Sequence, residues 1–199
     1  MGLPARPEVP VLGVISRLAD QKGIDLVAAA ADAFLAEGTQ LALLGTGDPG
    51  LEAAFTALGQ KQPTRAGIRI GFDVALSHKI EAGADLFLMP SRYEPCGLNQ
   101  MYSLLYGTVP VVRATGGLDD TVVPFDPKSG QGNGFKFAEA TAQGLLRAVR
   151  EALACYRNRP LWNRLVQNAM AADFSWTRSA QEYVQVYRRA VAKRRRGEP

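Results

Sequence analysis

The chain has 199 residues, of which 47% are hydrophobic and 21% are charged, so its composition is that of an ordinary globular protein with room for a sizeable core. Much of the formal net charge of +4 comes from the basic run at residues 193–196, which is typical of a solvated terminus and does not indicate nucleic-acid binding. The sequence shows neither a signal peptide nor an apolar run of membrane-spanning length, so a soluble, cytoplasmic protein is expected.

Strand-like apolar runs alternate with helical segments along most of the chain. The predicted strands cover residues 9–16, 39–44, 67–72, 85–90 and 108–112, with a short last strand at 135–137. The predicted helices cover residues 24–36, a segment from about 51, 75–82, 97–106, 141–156, 161–170 and 177–194. This alternation predicts an α/β fold with a parallel sheet and helices on both faces.

The cysteine and histidine residues do not form a metal-binding pattern. Cys96 and Cys155 lie far apart without C-x-x-C spacing, which favours reduced thiols over a disulfide framework or a zinc site. His78 is the single histidine, which excludes every motif that needs two. Cys96 is interpreted as a small packed residue rather than a reactive thiol, and His78 as a structural hydrogen-bonding residue.

Charged side chains occur in two loops that leave the carboxyl ends of predicted strands. Arg17 and Lys22 lie in the first loop, and Glu94 lies in the loop before the helix predicted from Gly97. In a parallel sheet such loops meet at one edge, where open sheets bind ligands, and a helix N-terminus there favours an anion. Two cations beside such a cradle suit a diphosphate. The alternative for each charge is an ordinary solvated position, and for Glu94 also a partner of the helix N-terminus.

Two glycine-rich segments need separate interpretation. Residues 45–50 match G-x-G-x-x-G, with Asp73 near the end of the next predicted strand. The dinucleotide fingerprint follows the first strand of its fold, whereas this motif follows the second, and Pro49 removes an N–H group; a tight turn is therefore favoured. Gly116 and Gly117 fit either a backbone anion nest or a turn before a short helix.

Taken together, these motifs resemble the C-terminal half of bacterial glycogen synthases and plant starch synthases. The matching segments follow the family's order along almost the whole chain. They are ISRL at 15–18, QKG at 21–23, LLGTGDP at 43–49, PSRYEPCGL at 90–98, ATGGLDDTV at 114–122 and DFSW at 173–176.

The resemblance implies the Rossmann-like C-terminal domain of a GT-B glycosyltransferase. Residues 1–199 would form its nucleotide-sugar (donor) binding domain, with 173–199 as a break, a crossover helix and a basic tail. The implied reaction is a retaining transfer of glucose from ADP-glucose to the non-reducing end of an α-1,4-glucan, without a metal or a cofactor. The family's N-terminal acceptor domain has no counterpart in this sequence, so the chain is expected to be inactive alone.

The resemblance also implies roles for individual residues. Arg17 and Lys22 would hold the diphosphate and stabilise charge on the departing ADP, while Glu94 would position glucose hydroxyls and developing positive charge. Phe72 falls where the family has an aromatic residue near the adenine. The residues implied to bind the donor substrate are Cys96, Gly97, Leu98, Asn99, Phe72, Gly116 and Gly117.

Two other functions remain open at the level of sequence. One is a stand-alone nucleotide- or glucan-binding module without turnover, and the other is a GT-B transferase with another donor or acceptor. The residues alone do not favour adenine over uracil. Without its N-terminal partner domain, the last helix is expected to expose an apolar stripe or to form a non-native contact such as a dimer. The stripe consists of Tyr183, Val184, Val186, Tyr187 and Val191.

Overall fold

The computed structural model describes residues 1–196, and its framework is a six-stranded parallel sheet. The strands are β1 (Val11–Ile15), β2 (Gln40–Gly45), β3 (Ala66–Ile70), β4 (Leu86–Met89), β5 (Val109–Arg113) and β6 (Phe135–Phe137). Their spatial order is β3-β2-β1-β4-β5-β6. The direction in which strands are added reverses between β1 and β4, so a crevice opens at the carboxyl ends of these two strands.

Helices cover both faces of the sheet. They are α1 (Ile24–Ala36), α2 (Pro49–Lys61), α3 (Val74–Gly83), α4 (Asn99–Tyr106), α5 (Gly116–Thr121), α6 (Ala142–Arg157), α7 (Arg159–Met170) and α8 (Trp176–Arg195). Helices α1, α2 and α6 pack on one face, and α3, α4 and α5 pack on the other. The predicted parallel sheet with helices on both faces is confirmed. Among the residues that the structure describes, no helix is long and apolar enough to cross a membrane.

Burial on both faces explains the apolar character of the strands. All six residues of β2 are buried, and no polar face alternates with an apolar one as it would in a half-exposed sheet. The largest core cluster fills the space between the sheet and helices α1 and α6, where Phe34 and Val149 are fully buried. This packing fixes the strand ends, and therefore the loops that leave them.

Most element boundaries differ from the prediction by one or two residues, and two of these differences have clear local causes. The helix predicted from residue 97 begins at Asn99, because Gly97 has a left-handed φ of 76° and Leu98 is the N-cap. The strand predicted to end at residue 90 ends at Met89, and Pro90 has no N–H group with which to continue the ladder. Both changes lengthen the loop that carries Glu94.

Helix α8 has no buried residue. The five side chains of the predicted apolar stripe are all 45–65% exposed, which confirms that stripe. They are Tyr183, Val184, Val186, Tyr187 and Val191. The last part of the predicted basic tail, residues 197–199, lies outside the described residues.

Candidate functional site

A cavity of about 150 Å³ lies in the crevice at the carboxyl ends of β1 and β4. We call it the crevice cavity. It brings together most of the residues selected from the sequence, although they come from two distant parts of the chain. Those that line it are Arg17, Lys22, Glu94, Gly97, Leu98 and Asn99.

Lys22 and Glu94 form an ion pair across this cavity. Lys22 Nζ lies 2.5 Å from Glu94 Oε2, and the two side chains are only 22% and 10% exposed. The buried Ser91 hydroxyl donates a second hydrogen bond of 3.2 Å to the same carboxylate oxygen. Glu94 is therefore held in one orientation, facing the cation of the other loop, rather than solvated as an ordinary loop acid.

The two loops that carry this ion pair are joined along their backbones. The Gln21 carbonyl oxygen accepts a hydrogen bond of 2.8 Å from the Arg92 N–H group, and Gln21 Nε2 donates to the Tyr93 carbonyl at 3.4 Å. Gly23 has a left-handed φ of 65°, and a Cβ atom there would overlap the Pro90 carbonyl oxygen. The loops after β1 and β4 thus pack as one unit.

Two arginines brace the Glu94 loop from opposite sides. Arg92 makes a bidentate ion pair with Asp25 of α1, with N···O distances of 2.6 and 2.7 Å. The hydrogen bond from Arg92 lowers the pKa of the Asp25 carboxyl group. On the other side, Arg113 at the end of β5 donates from Nε to the Ser91 carbonyl at 2.8 Å and from Nη2 to the Arg92 carbonyl at 2.6 Å. The position of Glu94 is therefore fixed from both neighbouring elements.

The first turn of α4 opens onto the crevice cavity. Asn99, the first helical residue, donates from Nδ2 to the Ile15 carbonyl at 3.3 Å, which ties the helix to the end of β1. Gln100 is fully buried, and its Nε2 donates to the carbonyl oxygens of Cys96 and Gly97 at 3.1 and 3.0 Å. With these carbonyls held by Gln100, the N-terminal end of the helix dipole faces the cavity, as an anion site requires.

Gly116 and Gly117 lie behind the Glu94 loop. They are the first two residues of helix α5. Of the two alternatives that the sequence left open, the structure thus shows the short helix. A Cβ atom at Gly116 would overlap the carbonyl oxygen of Glu94, and one at Gly117 would overlap that of Cys96. The Gly117 N–H group donates to the Glu94 carbonyl at 3.0 Å and is not free for a ligand. The glycines allow close packing, and their contact with substrate stays a prediction.

Phe72 and Cys96 lie outside the crevice cavity. Phe72 is 89% exposed at the rim of a neighbouring cavity of about 390 Å³, which Arg17 and Asn99 also line. Cys96 lines a separate groove beside Trp176, and its thiol donates to the Gly97 carbonyl at 3.5 Å. The Cys96 side chain is thus exposed rather than packed, which corrects its interpretation as a small packed residue.

The glycine-rich loop at residues 45–50 forms a tight turn, as the sequence favoured. Glu52 of α2 accepts hydrogen bonds from the Gly47 N–H group at 2.8 Å and from the Thr46 hydroxyl at 2.6 Å. The Thr46 hydrogen bond lowers the pKa of Glu52. A backbone N–H group that a pyrophosphate would need is therefore bound by a carboxylate of the chain itself.

Sequence reasoning missed the residues that position the charged pair. Ser91 lies only three residues before Glu94, but a serine in a loop gives no signal for that contact. Arg92 lies within the recognised motif, and its partner Asp25 is 67 residues away, so spacing gave no signal for that ion pair. Arg113 carried one usable signal: a cation at the carboxyl end of a buried strand points toward the same edge as the loops. Asp25 carried no such signal, because an acidic residue in the first turn of a helix is common for its favourable interaction with the helix dipole alone.

Comparisons with known proteins agree with this geometry. The sequence profile of the family described as Glycosyl transferases group 1 matches residues 3–171. Glycogen synthase from Anaeromyxobacter sp. (strain K) is 60% identical over 188 residues, covering 94% of this chain and 39% of that protein. Glycogen synthase from Koribacter versatilis (strain Ellin345) is 51% identical over 189 residues, covering 95% of this chain and 39% of that protein.

A solved structure matches nearly the whole chain as well. The catalytic domain of starch synthase IV from Arabidopsis thaliana, bound to ADP and acarbose, superposes with a TM-score of 0.85 at 39% sequence identity. The match covers 96% of this chain and 40% of that chain. The chain therefore spans about two fifths of the length of the relatives it matches.

Proposed function

The chain belongs to the family of glycosyl transferases group 1, and from this membership we propose that it is the donor-binding domain of a retaining glucosyltransferase. In the proposed reaction, glucose passes from ADP-glucose to the non-reducing end of an α-1,4-glucan. Support comes from the similarity to glycogen synthases and from the ADP and acarbose bound in the related starch synthase IV structure. We place the reaction in the cytoplasm, in keeping with the two free cysteines.

The observation that carries the proposal is the meeting of Lys22 and Glu94 at 2.5 Å in the crevice. A nucleotide sugar has a dianionic diphosphate next to a neutral, hydroxyl-rich ring. A cation and a carboxylate side by side, at a helix N-terminus, match these two neighbouring parts of one ligand. A site for a simple anion would gain nothing from the carboxylate.

The side chains then have separate tasks in the transfer. The bond between the anomeric carbon and the diphosphate oxygen breaks, and ADP leaves with the electron pair. The terminal hydroxyl of the glucan forms the new bond to that carbon, and its proton passes to the departing phosphate oxygen. Arg17 and Lys22 stabilise the negative charge that develops on ADP. Glu94 accepts hydrogen bonds from glucose hydroxyls and stabilises positive charge at the anomeric carbon. The scheme uses no cofactor, because side chains supply both cations.

We assign binding of the glucan acceptor to a part of the protein that corresponds to the uncovered length of the relatives. The chain spans about two fifths of their length, so we propose that the remainder binds the glucan and closes the crevice. The chain alone is expected to bind the donor nucleotide without transferring glucose, because the crevice has one wall.

Titration calorimetry of the chain with ADP tests the diphosphate assignment. We expect Lys22→Ala and Arg17→Ala to weaken ADP binding by about 10- to 100-fold each, as for the loss of a charge-assisted hydrogen bond. Lys61→Ala is the matched control, because Lys61 is 64% exposed and pairs with Asp32 away from the crevice. Absence of ADP binding to the unaltered chain at millimolar concentration would overturn the proposal.

Glu94→Gln tests the sugar end of the same ligand. Removing this carboxylate releases Lys22 from its ion pair, so ADP should bind at least as tightly as before. ADP-glucose should lose whatever affinity it gains over ADP in the unaltered chain. Tighter binding of UDP-glucose than ADP-glucose would instead favour a transferase with another donor.

A further inference from the structure

A second cavity continues the crevice cavity on the side away from Glu94. It has a volume of about 390 Å³, and four residues line both cavities. They are Ile15, Ser16, Arg17 and Asn99. A ligand whose diphosphate lies at Arg17 and whose sugar lies at Glu94 must extend its third part, the nucleoside, into this second cavity. We call it the nucleoside cavity.

A buried carboxylate lines the nucleoside cavity. Glu81, on the last turns of α3, is 3% exposed, and burial raises the pKa of its carboxyl group. Its one ion-pair partner among residues 1–196 is His78, whose Nδ1 lies 3.4 Å from Glu81 Oε2 and whose side chain is 54% exposed. Burying a carboxylate is costly, and no step of the proposed transfer uses this one.

The other carboxylate that lines the nucleoside cavity is already engaged. Asp73 caps α3, and its Oδ1 accepts a hydrogen bond of 2.9 Å from the Leu76 N–H group. The Ser77 hydroxyl donates to the Val74 carbonyl at 2.7 Å. The Glu81 carboxylate, in contrast, accepts no backbone hydrogen bond among residues 1–196 and has His78 as its one side-chain partner. It can therefore accept a further hydrogen bond from a ligand.

The chemistry of this acceptor distinguishes nucleobases. Adenine has an exocyclic amino group, which donates hydrogen bonds, whereas hypoxanthine and uracil have a carbonyl oxygen at the corresponding position. A carboxylate attracts the amino group and repels a carbonyl oxygen, and a buried polar group left without a partner is penalised further.

We propose that Glu81 accepts a hydrogen bond from the exocyclic amino group of adenine and so makes the nucleoside cavity selective for ADP over UDP. The inference rests on the proposed function, since it takes a nucleoside diphosphate as the ligand. It gives Glu81, which lies outside the sequence motifs of the crevice, a role in specificity. His78 orients the carboxylate from the solvent side.

Calorimetric titration of the chain with ADP, IDP and UDP tests this assignment. IDP is the informative ligand, because it keeps the purine ring and the diphosphate but has a carbonyl in place of the amino group. We expect ADP to bind the unaltered chain at least about tenfold more tightly than IDP or UDP. In Glu81→Gln the ADP-to-IDP ratio should fall toward one, because the side-chain amide can donate to the carbonyl.

Glu139→Gln is the matched control, since Glu139 is 62% exposed, pairs with Arg147 and follows β6 at the far edge of the sheet. Thermal melting monitored by circular dichroism checks that each variant folds. Equal affinity of the unaltered chain for ADP and IDP overturns the inference without any variant, and leaves the proposed function standing. An unchanged ratio in a folded Glu81→Gln variant overturns it too. Failure of ADP itself to bind would count against the proposed function instead.

Discussion

The ion pair between Arg92 and Asp25 shows how single residues outside the cavity control the site. Arg92 lies two positions before Glu94, and it reaches across to α1 with N···O distances of 2.6 and 2.7 Å. It also donates to the Asp20 carbonyl at 2.7 Å, in the loop that carries Lys22. One guanidinium group thereby fixes both loops, which a lysine could not do because it lacks the planar bidentate geometry.

Asp25→Asn is expected to destabilise the chain in a pH-dependent way. The folded-state pKa of Asp25 is lowered from its ordinary value of 3.8, chiefly by the hydrogen bond from Arg92. Its contribution to stability is therefore present above that value and is lost as the pH falls through the lower folded-state pKa. Because the Asp25 side chain is 40% exposed, the free energy of unfolding should drop by no more than about 1 kcal/mol at neutral pH.

Urea unfolding at pH 7 and at about pH 3 measures the free energy of unfolding of the variant and of the unaltered chain. The difference between these two free energies should be smaller at the lower pH. A gap that stays constant would mean that the carboxylate charge does not stabilise the folded state.

The charged residues of the crevice were predictable from the sequence, whereas their supports were not. Arg17, Lys22 and Glu94 each follow an apolar strand, and the edge at which parallel strands end is fixed by their direction. Arg92 and Arg113 act through contacts that depend on which strands are neighbours. Their spacing along the chain carries no information about that order.

At the scale of elements, the site depends on a close approach between the loop after β1 and the end of β4. Gly23 separates the 3-10 turn at Asp20–Lys22 from α1 and packs directly on the Pro90 carbonyl. No side chain fits between these backbones. Lys22 reaches Glu94 because its neighbour is glycine.

Gly23→Ala should therefore harm both stability and binding, and Gly38→Ala provides a matched comparison. Both glycines have left-handed φ values, 65° and 85°, so each substitution costs about 1 kcal/mol of conformational strain. A Cβ atom at Gly38 meets nothing within 4 Å, whereas one at Gly23 overlaps the Pro90 carbonyl oxygen. Gly23→Ala is expected to lower the free energy of unfolding by at least about 2 kcal/mol and to weaken ADP binding.

Denaturant unfolding and ADP calorimetry of the two variants measure the difference. Equal losses of stability would show that backbone strain alone matters and that the loops tolerate a wider separation.

The boundaries of elements were less predictable than their order. Alternation of strand and helix patterns located every strand of the sheet, and the predicted limits of α1 are those observed. The start of α4 was placed two residues early because Gly97, read as the helix start, adopts a left-handed φ of 76°. A glycine that precedes a helix and one that begins it look alike in sequence.

At the scale of the whole molecule, the sheet has the fold of the C-terminal domain of a GT-B glycosyltransferase, as the resemblance implied. The alternating pattern alone could not give the strand order, since any right-handed parallel arrangement satisfies it. Helix α8 borders this body only at its N-terminal end and buries none of its residues. Its apolar side chains are exposed, as the sequence predicted for this stripe.

Removal of α8 should leave the stability of the body unchanged. A chain that ends at Ala172 loses no buried residue of α8, so its melting temperature should lie within about 3 °C of the full chain, the shift that roughly 1 kcal/mol causes at this size. A chain that ends at Arg157 is the contrasting control, because it also loses Trp162 and Leu165, which are buried in the core. Calorimetric melting compares the three. A large drop on removing α8 alone would show that the helix packs on the body in solution.

The ion pair between Lys22 and Glu94 also has a consequence for folding. Its two residues are 72 positions apart in sequence, and they meet only where β1 and β4 are neighbours in the sheet. Contacts of such long sequence separation form late, after the local helices and the adjacent β1–β2 pair. We therefore expect the crevice to assemble late in the folding of this chain, because its loops close over a long stretch of sequence. A newly made molecule gains its nucleotide site only when its central strands have docked, and bound nucleotide would in turn stabilise that completed sheet.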